Sequence, residues 1–344
     1  MKVLITGNLG YIGSVLTKLL LNKGYDVTGL DIGYYKENLV QKVDNLKKQI
    51  NLDIRDIKEE HLIGVDSIIH LASLSNDPLG AFNPNLTNEI NKLATINLAQ
   101  KAKKVGVKRF IYASSQSMYG ISNTKEELDE DTSKKNPITA YAKSKWESEQ
   151  EIKKIISDNF VVCSFRPSTV FGPSPRFRSD ILYNNLMGCS FTSNKIEIFS
   201  DGTPIRPTVH IEDVCSALIA GLIAPGNIIN GESFNIGVEN GNYTVHQIAK
   251  ETQKKNKDSK IIFTGKYGKD ERTYRVSFKK IYRVLGDYYK PKWNIDNGGY
   301  DLIKFFQKIN FDNEKFTSRK TNRIKQLQYL SETKILNSQL KFNV

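Results

Sequence analysis

A short apolar run, Lys2 to Thr6, is followed by glycines at positions 7, 10 and 13 and by helical periodicity from Tyr11 to Lys23. Few folds accept this opening. The first run reads as a buried strand, and the second as a helix. Gly7 allows a tight turn between them, Gly10 lets the backbone approach a pyrophosphate, and Gly13 lets the helix pack close to the strand. The free N–H groups and positive dipole at the helix start, around Tyr11 and Ile12, suit an anion. A second strand, Tyr25 to Leu30, ends on Asp31 and Ile32. A carboxylate at that tip accepts both hydroxyls of an adenosine ribose and repels a 2′-phosphate. The expected cofactor is therefore NAD rather than NADP.

The alternation continues along the chain. A third strand ends near Asn51-Leu52-Asp53-Ile54, which would set Asp53 and Ile54 beside the adenine. Ser67 to Leu71 is a fourth strand, followed by the small residues Ala72 and Ser73; Leu71, Ala72 and Ser73 are expected along the cofactor. His70 reads as a packed strand residue rather than a catalyst. Asn83 to Lys104 reads as a long helix opened by Asn and Pro. Lys108 to Ala113 is the fifth strand, Pro137 opens the next helix, and Phe160 to Phe165 is the sixth strand. Strands alternating with helices imply an α/β fold, a doubly wound parallel sheet. Past Arg166-Pro167 the pattern becomes mixed α+β, with helices expected over 180–186, 297–309 and about 318–336. The reading is a dinucleotide domain over 1–170 with later contributions from about 207–238. A smaller substrate domain covers 171–206 and 239–315. Residues 316–344 form a helical tail to which no chemistry is assigned.

Composition narrows the function classes. Hydrophobic residues make up 39% and charged residues 25% of the 344, which suits a soluble globular protein. No apolar run is long enough to cross a bilayer, and no secretory signal is read at the start, so a cytoplasmic protein is expected. Three cysteines without a CxxC pair fit a reduced compartment. The four histidines lack metal-ligand spacing, so no metal site is expected. The net charge of +13 is spread along the chain without a nucleic-acid motif, so it reads as a lysine-rich surface with a few arginines for an anionic small molecule.

Tyr141 and Lys145 are four residues apart, on one face of a helix. A phenol beside an ammonium can serve as a base. Free tyrosine titrates near pH ~10, so basicity near neutrality needs a shift of roughly three units, about 4 kcal/mol. One positive charge at about 4 Å in an intermediate dielectric supplies that order of energy.

Taken together, the motifs resemble the extended short-chain dehydrogenase/reductase family, in its nucleotide-sugar epimerase/dehydratase branch. They are TGNLGYIG (Thr6 to Gly13), LDI (Leu30 to Ile32), NLDIRD (Asn51 to Asp56), HLAS (His70 to Ser73), SSQSMYG (Ser114 to Gly120), YAKSK (Tyr141 to Lys145), RPSTVFGP (Arg166 to Pro173) and DGTPIRPTVHIED (Asp201 to Asp213). The resemblance implies a Rossmann-type domain with a smaller C-terminal nucleotide-sugar domain. Tyr141 would be the general base. Lys145 would lower its pKa and hold the nicotinamide ribose. Ser115 would hydrogen-bond the reacting hydroxyl, with Ser114 or Ser117 as stand-ins. Pro167 to Val170 would lie near the nicotinamide. Arg206 and Arg272 match arginines that contact the substrate's pyrophosphate, and Arg176 and Arg178 are further candidates. Asn184 or Asn185 could reach the phosphate or base. A homodimer through the helices at 83–104 and 137–158 is also implied.

The implied reaction removes a hydroxyl proton through Tyr141 while a hydride passes from C4 to NAD. Dehydratases of this branch carry Asp-Glu after the catalytic hydroxyl, and Gln116 and Ser117 stand there instead. The expectation is thus a nucleotide-sugar epimerase working through a 4-keto sugar. The alternative is a nucleotide-sugar or nucleotide-heptose 4-dehydrogenase, which the stretch Ser174 to Leu186 also resembles. A 4,6-dehydratase or a non-catalytic NAD-binding protein ranks below both.

Overall fold

The computed structural model describes residues 1–43, 46–122, 125–265 and 272–343. Seven strands form one wholly parallel sheet. They are β1 (Lys2–Thr6), β2 (Asp26–Asp31), β3 (Gln49–Asn51), β4 (Ser67–His70), β5 (Arg109–Ala113), β6 (Val161–Pro167) and β7 (Ser233–Ile236). Their order is β7-β6-β5-β4-β1-β2-β3. The expected Rossmann-type sheet is present, with Ser233–Ile236 as a seventh, edge strand beyond the six numbered from the sequence.

Strand order reverses between β1 and β4, and ligands of such sheets sit outside the carboxyl ends at that point. Thr6 is level with Leu30 on one side and with His70 on the other, so β1, β2 and β4 end flush around the crevice. Val3, Leu4 and Ile5 are almost wholly buried because helices cover both faces of the sheet. One face packs Leu16 and Leu20 of the helix Tyr11–Asn22 with Val214 and Leu218 of the helix Ile211–Ile223. The other packs Leu98 and Ala102 of Ala94–Lys104 with Ile152 of Ala140–Lys153. No helix among the described residues is long and apolar enough to cross a membrane.

The smaller sheets gather beyond the carboxyl edge. Ile205–His210 pairs parallel with Thr169–Phe171 and antiparallel with Asn242–Thr244. Lys195–Ile198 pairs with Lys260–Phe263. Their core is aromatic: Phe177 meets Phe305, Phe306 and Phe311 at ring distances of 5.6, 5.4 and 5.5 Å.

Helix boundaries shift from expectation for identifiable reasons. The helix carrying Tyr141 starts at Ala140 rather than Pro137, because the Thr139 hydroxyl caps it by accepting from Ala142 N at 3.1 Å. The helix expected over 180–186 runs Leu182–Ser193 and stops where Asn194 turns left-handed. The helix opened by Asn83 contains a wider π-type turn, Asn88–Leu93. The last helix is only Arg323–Glu332. Its Leu327 and Leu330 join the core under Ala94–Lys104, and burial of such side chains contributes roughly 1.5–3 kcal/mol each. That docks the tail on the helical layer of the parallel sheet.

Candidate functional site

A cleft of about 570 Å³ opens at the carboxyl edge of the sheet. Its floor is the glycine turn. Gly7 takes φ +76°, and a Cβ there would lie 2.7 Å from Ala72 N. A Cβ on Gly13 would lie 2.2 Å from Gly7 O, inside van der Waals contact. Gly10, Tyr11 and Ile12 line the cleft with them. The Tyr11 hydroxyl turns away, donating to Gly172 O at 2.7 Å.

At one end lie Asp31, Ile32, Asp53 and Ile54. Asp31 bridges two backbone segments: Oδ1 accepts from Gly33 N at 2.7 Å and Oδ2 from Leu9 N at 3.1 Å. Burial raises its pKa against these bonds, and the oxygens keep lone pairs for further donors. Asp53 is occupied differently, paired with Arg55 at 2.6 Å. Leu71, Ala72 and Ser73 line one wall, and Pro167 and Val170 the wall toward the smaller sheets. If Asp31 holds a ribose diol, Asp31→Ala should weaken NAD about 10- to 100-fold, the loss expected for charge-assisted hydrogen bonds. It should also narrow the gap between NAD and NADP. Calorimetric titration of both dinucleotides measures each quantity, and unchanged affinities would remove the assignment.

At the other end Ser115, Tyr141 and Lys145 converge. The Ser115 hydroxyl favours the charged form of the Tyr141 phenol. Ser117 Oγ lies 2.8 Å from Ser115 Oγ, and Ser114 lines the same wall. Lys145 is 3% exposed. Its Nζ donates to Ala113 O at 2.8 Å and sits 4.9 Å from the Tyr112 ring centre. The electrostatics depart from expectation. Burial pushes the Tyr141 phenol up to about 12, outweighing the Ser115 hydroxyl. Burial also brings Lys145 down to about 7. An ammonium that is itself desolvated and directed at a carbonyl is a weak tuner of its neighbour. His70 is a packed residue as expected, held between Thr6 Oγ1 and Thr95 Oγ1 at 2.6 and 2.7 Å and lowered to about 3 by burial.

The arginines divide. Arg206 and Arg272 line the cleft, and the Arg272 guanidinium is held by Asp77 on the Tyr141 side. Asp270 and Glu271, which precede it in the DERTYRV stretch, lie outside the described residues. Arg178 lines the cleft but is paired through two nitrogens with Asp180, at 2.9 and 2.8 Å. Arg176 does not reach the cleft lining; its guanidinium donates to Tyr35 O and Lys36 O, each at 3.3 Å. Asn184 is fully buried outside the lining, bonded to Gly172 N, Tyr11 Oη and Arg178 O; Asn185 lines the cleft in its place. Both are expected substrate contacts, but Asn184 is taken up by these three partners and Asn185 Nδ2 donates to Ser179 O at 2.9 Å.

Among the lining residues that escape sequence reasoning are Tyr34, Tyr35 and Arg323. Arg323 comes from the tail, is 2% exposed, and stacks 4.3 Å from the Tyr35 ring centre. Burial and the neighbouring Arg178 bring it down to about 10. Among the described residues, Ser73 Oγ, Tyr35 Oη and Arg323 Nη1 are buried without hydrogen-bond partners. Orphaned polar groups around a glycine cradle fit a polar, phosphate-bearing dinucleotide.

Comparison with known proteins gives a consistent result. The family described as "NAD dependent epimerase/dehydratase family" matches residues 3–237. UDP-glucuronic acid decarboxylase 1 of Xenopus tropicalis is 26% identical over 313 residues, 89% of this chain and 72% of that protein. Protein CapI of Staphylococcus aureus is 26% identical, covering 89% of this chain and 98% of its own. The fold is shared with a UDP-glucuronic acid 4-epimerase of Bacillus cereus in complex with UDP-glucuronic acid and NAD. That structure has a TM-score of 0.77 and 24% identity, over 90% of this chain and all of the other. It is also shared with a dTDP-glucose 4,6-dehydratase of Streptomyces venezuelae, with a TM-score of 0.76 and 24% identity, over 91% and 98%.

Proposed function

The chain belongs to the NAD dependent epimerase/dehydratase family, and from that premise we propose that it epimerises a nucleotide-diphosphate sugar at C4 through a transient 4-keto sugar. Its cofactor is NAD, which when bound accepts and returns the hydride. Tyr141 Oη takes the proton of the C4 hydroxyl and gives it back. Ser115 Oγ holds that hydroxyl in line with the phenol. Lys145, anchored on Ala113 O, holds the ribose edge of the cofactor. Arg206 and Arg272 take the substrate diphosphate, where forked guanidinium groups suit phosphate oxygens. Residues 1–170 with 207–238 serve the cofactor, and 171–206 with 239–315 serve the sugar nucleotide. A homodimer through the helices at 83–104 and 137–158 belongs to the same reading.

One observation carries the choice of epimerisation. Water elimination needs an additional acid and base beside the sugar. Gln116 has neither, and its amide is taken up by Arg166 O, Ile236 O and Ser168 Oγ at 3.0, 3.3 and 3.1 Å, outside the cleft lining. Ser117 offers only a hydroxyl. The test incubates the protein with UDP-, dTDP-, GDP- and CDP-sugars, following sugar isomers by NMR and reduced nicotinamide by absorbance. An isomer without net redox supports the proposal. Net reduction of added NAD would transfer it to a 4-dehydrogenase, and a product lacking water or carbon dioxide would overturn it.

A further inference from the structure

The C-terminal tail is built into the adenosine half of the cleft. Gln326 donates to Tyr34 O at 3.2 Å, and Asn38 donates to Arg319 O at 3.0 Å. The Tyr34 hydroxyl donates to Leu340 O. Arg55 donates to Gln339 O at 2.7 Å, and Lys341 pairs with Asp56 at 2.8 Å. These bonds clamp the segments that follow β2 and β3, which carry Asp31 and Asp53. Into this frame the helix Arg323–Glu332 delivers a guanidinium at its first residue.

Arg323 donates through Nη2 to Arg176 O at 2.9 Å, while Nη1 has no partner among the described residues. The charged groups acting on it are Arg178, Asp180 and Arg176. Asp180 is already engaged by Arg178 through both oxygens. Asp31 and Glu37 act on Arg176, and Asp31 also feels Arg323, but no carboxylate among the described residues pairs directly with the Arg323 guanidinium. A buried cation without its own anion is unfavourable. Its place identifies the missing anion. Arg323 stacks on Tyr35, just past the tip of β2, whereas Arg272 is tied to Asp77 at the Tyr141 end. The anion therefore belongs to the cofactor half, not to the sugar nucleotide. A 2′-phosphate there would face the Asp31 carboxylate, which leaves the diphosphate lying over the glycine turn.

We propose that Arg323 binds the diphosphate of the dinucleotide, so that the tail is a part of the cofactor site rather than an outer brace. This rests on the NAD reading above.

The test is dinucleotide binding to the full chain, with no turnover required. Arg323→Met keeps the stem and removes the charge. NAD and ADP-ribose should each bind roughly tenfold or more weakly. Adenosine, which lacks phosphate, should bind as before, and so should UDP. An unchanged NAD affinity would overturn the inference, and so would a parallel loss for adenosine, which marks a brace. A loss confined to NADP or to UDP would also overturn it. Should the Met variant not fold, Arg323→Lys carries the test. Several-fold weaker NAD with unchanged adenosine supports the contact, because ammonium lacks the planar fork; full NAD affinity would overturn it. A wild-type chain that binds no NAD at all would instead refute the cofactor reading itself.

Discussion

Tyr141→Phe should remove turnover while leaving NAD affinity within about twofold. The expected loss in kcat is roughly 10²–10⁴-fold, the usual contribution of a positioned proton acceptor. The substitution deletes one oxygen. That oxygen faces the Ser115 side chain, so the helix Ala140–Lys153 has no reason to move. The Tyr141 backbone and Cβ keep their close packing against Gly80, where an added Cβ would lie 2.8 Å from Tyr141 Cβ. The pH dependence has a definite sign. The accepting form is the phenolate, and burial holds the phenol up to about 12, so kcat/KM should rise with pH through neutrality. The Phe variant should lack that rising limb. Single-turnover rates across pH, beside calorimetric NAD titration, measure both. Turnover equal to wild type would take Tyr141 out of the chemistry.

Legibility in the sequence follows how local each determinant is. The turn at Gly7 to Gly13 depends on residues adjacent in the chain, and so does the pairing of Tyr141 with Lys145 on one helical face. Both are present as read. The sheet order follows from the strand–helix alternation, which leaves few ways to wind. What was not legible comes from contacts between distant segments. Arg176 and Arg178 look alike in sequence, two positions apart. One is held by the carbonyls of Tyr35 and Lys36 and the other by Asp180, and no spacing rule separates them. Arg323 lies 292 positions from Asp31 and carries no motif. The docking of Leu327 and Leu330 on the sheet's helical layer, with the tail's hydrogen bonds to the segments after β2 and β3, brings it to the cleft. The Tyr141 phenol departs from expectation for a related reason: spacing places the ammonium nearby but says nothing about its own desolvation.

Glu149→Ala should be the most destabilising single change among those considered. Glu149 lies two turns beyond Tyr141 on the same helical stripe, with Lys145 between them. Its carboxylate and the Arg166 guanidinium of β6 are each 2% exposed and meet at 2.5 Å. Ser233 of β7 adds a hydroxyl donor at 2.8 Å. Burial alone would raise the carboxyl, yet the Arg166 charge holds it below its ordinary value, so the pair is ionised. Removing the carboxylate strands a buried guanidinium, whose remaining partners are the Tyr119 hydroxyl at 3.1 Å and Glu130 O at 3.3 Å. The cost of breaking such a pair is about 3–5 kcal/mol, against a total stability on the order of 5–15 kcal/mol. At roughly 2–4 °C per kcal/mol for larger domains, Tm should fall by about 10 °C. Removing both charges together, as Glu149→Ala with Arg166→Met, should cost less than the two single changes summed, because no unpaired charge remains. Thermal denaturation of the three variants measures this. Additive losses would mean that the pair is not coupled. The site gives a second readout: the ion pair fixes the helix to β6, so a drop in kcat beyond the loss of folded protein would show that the pair also sets the aim of Tyr141.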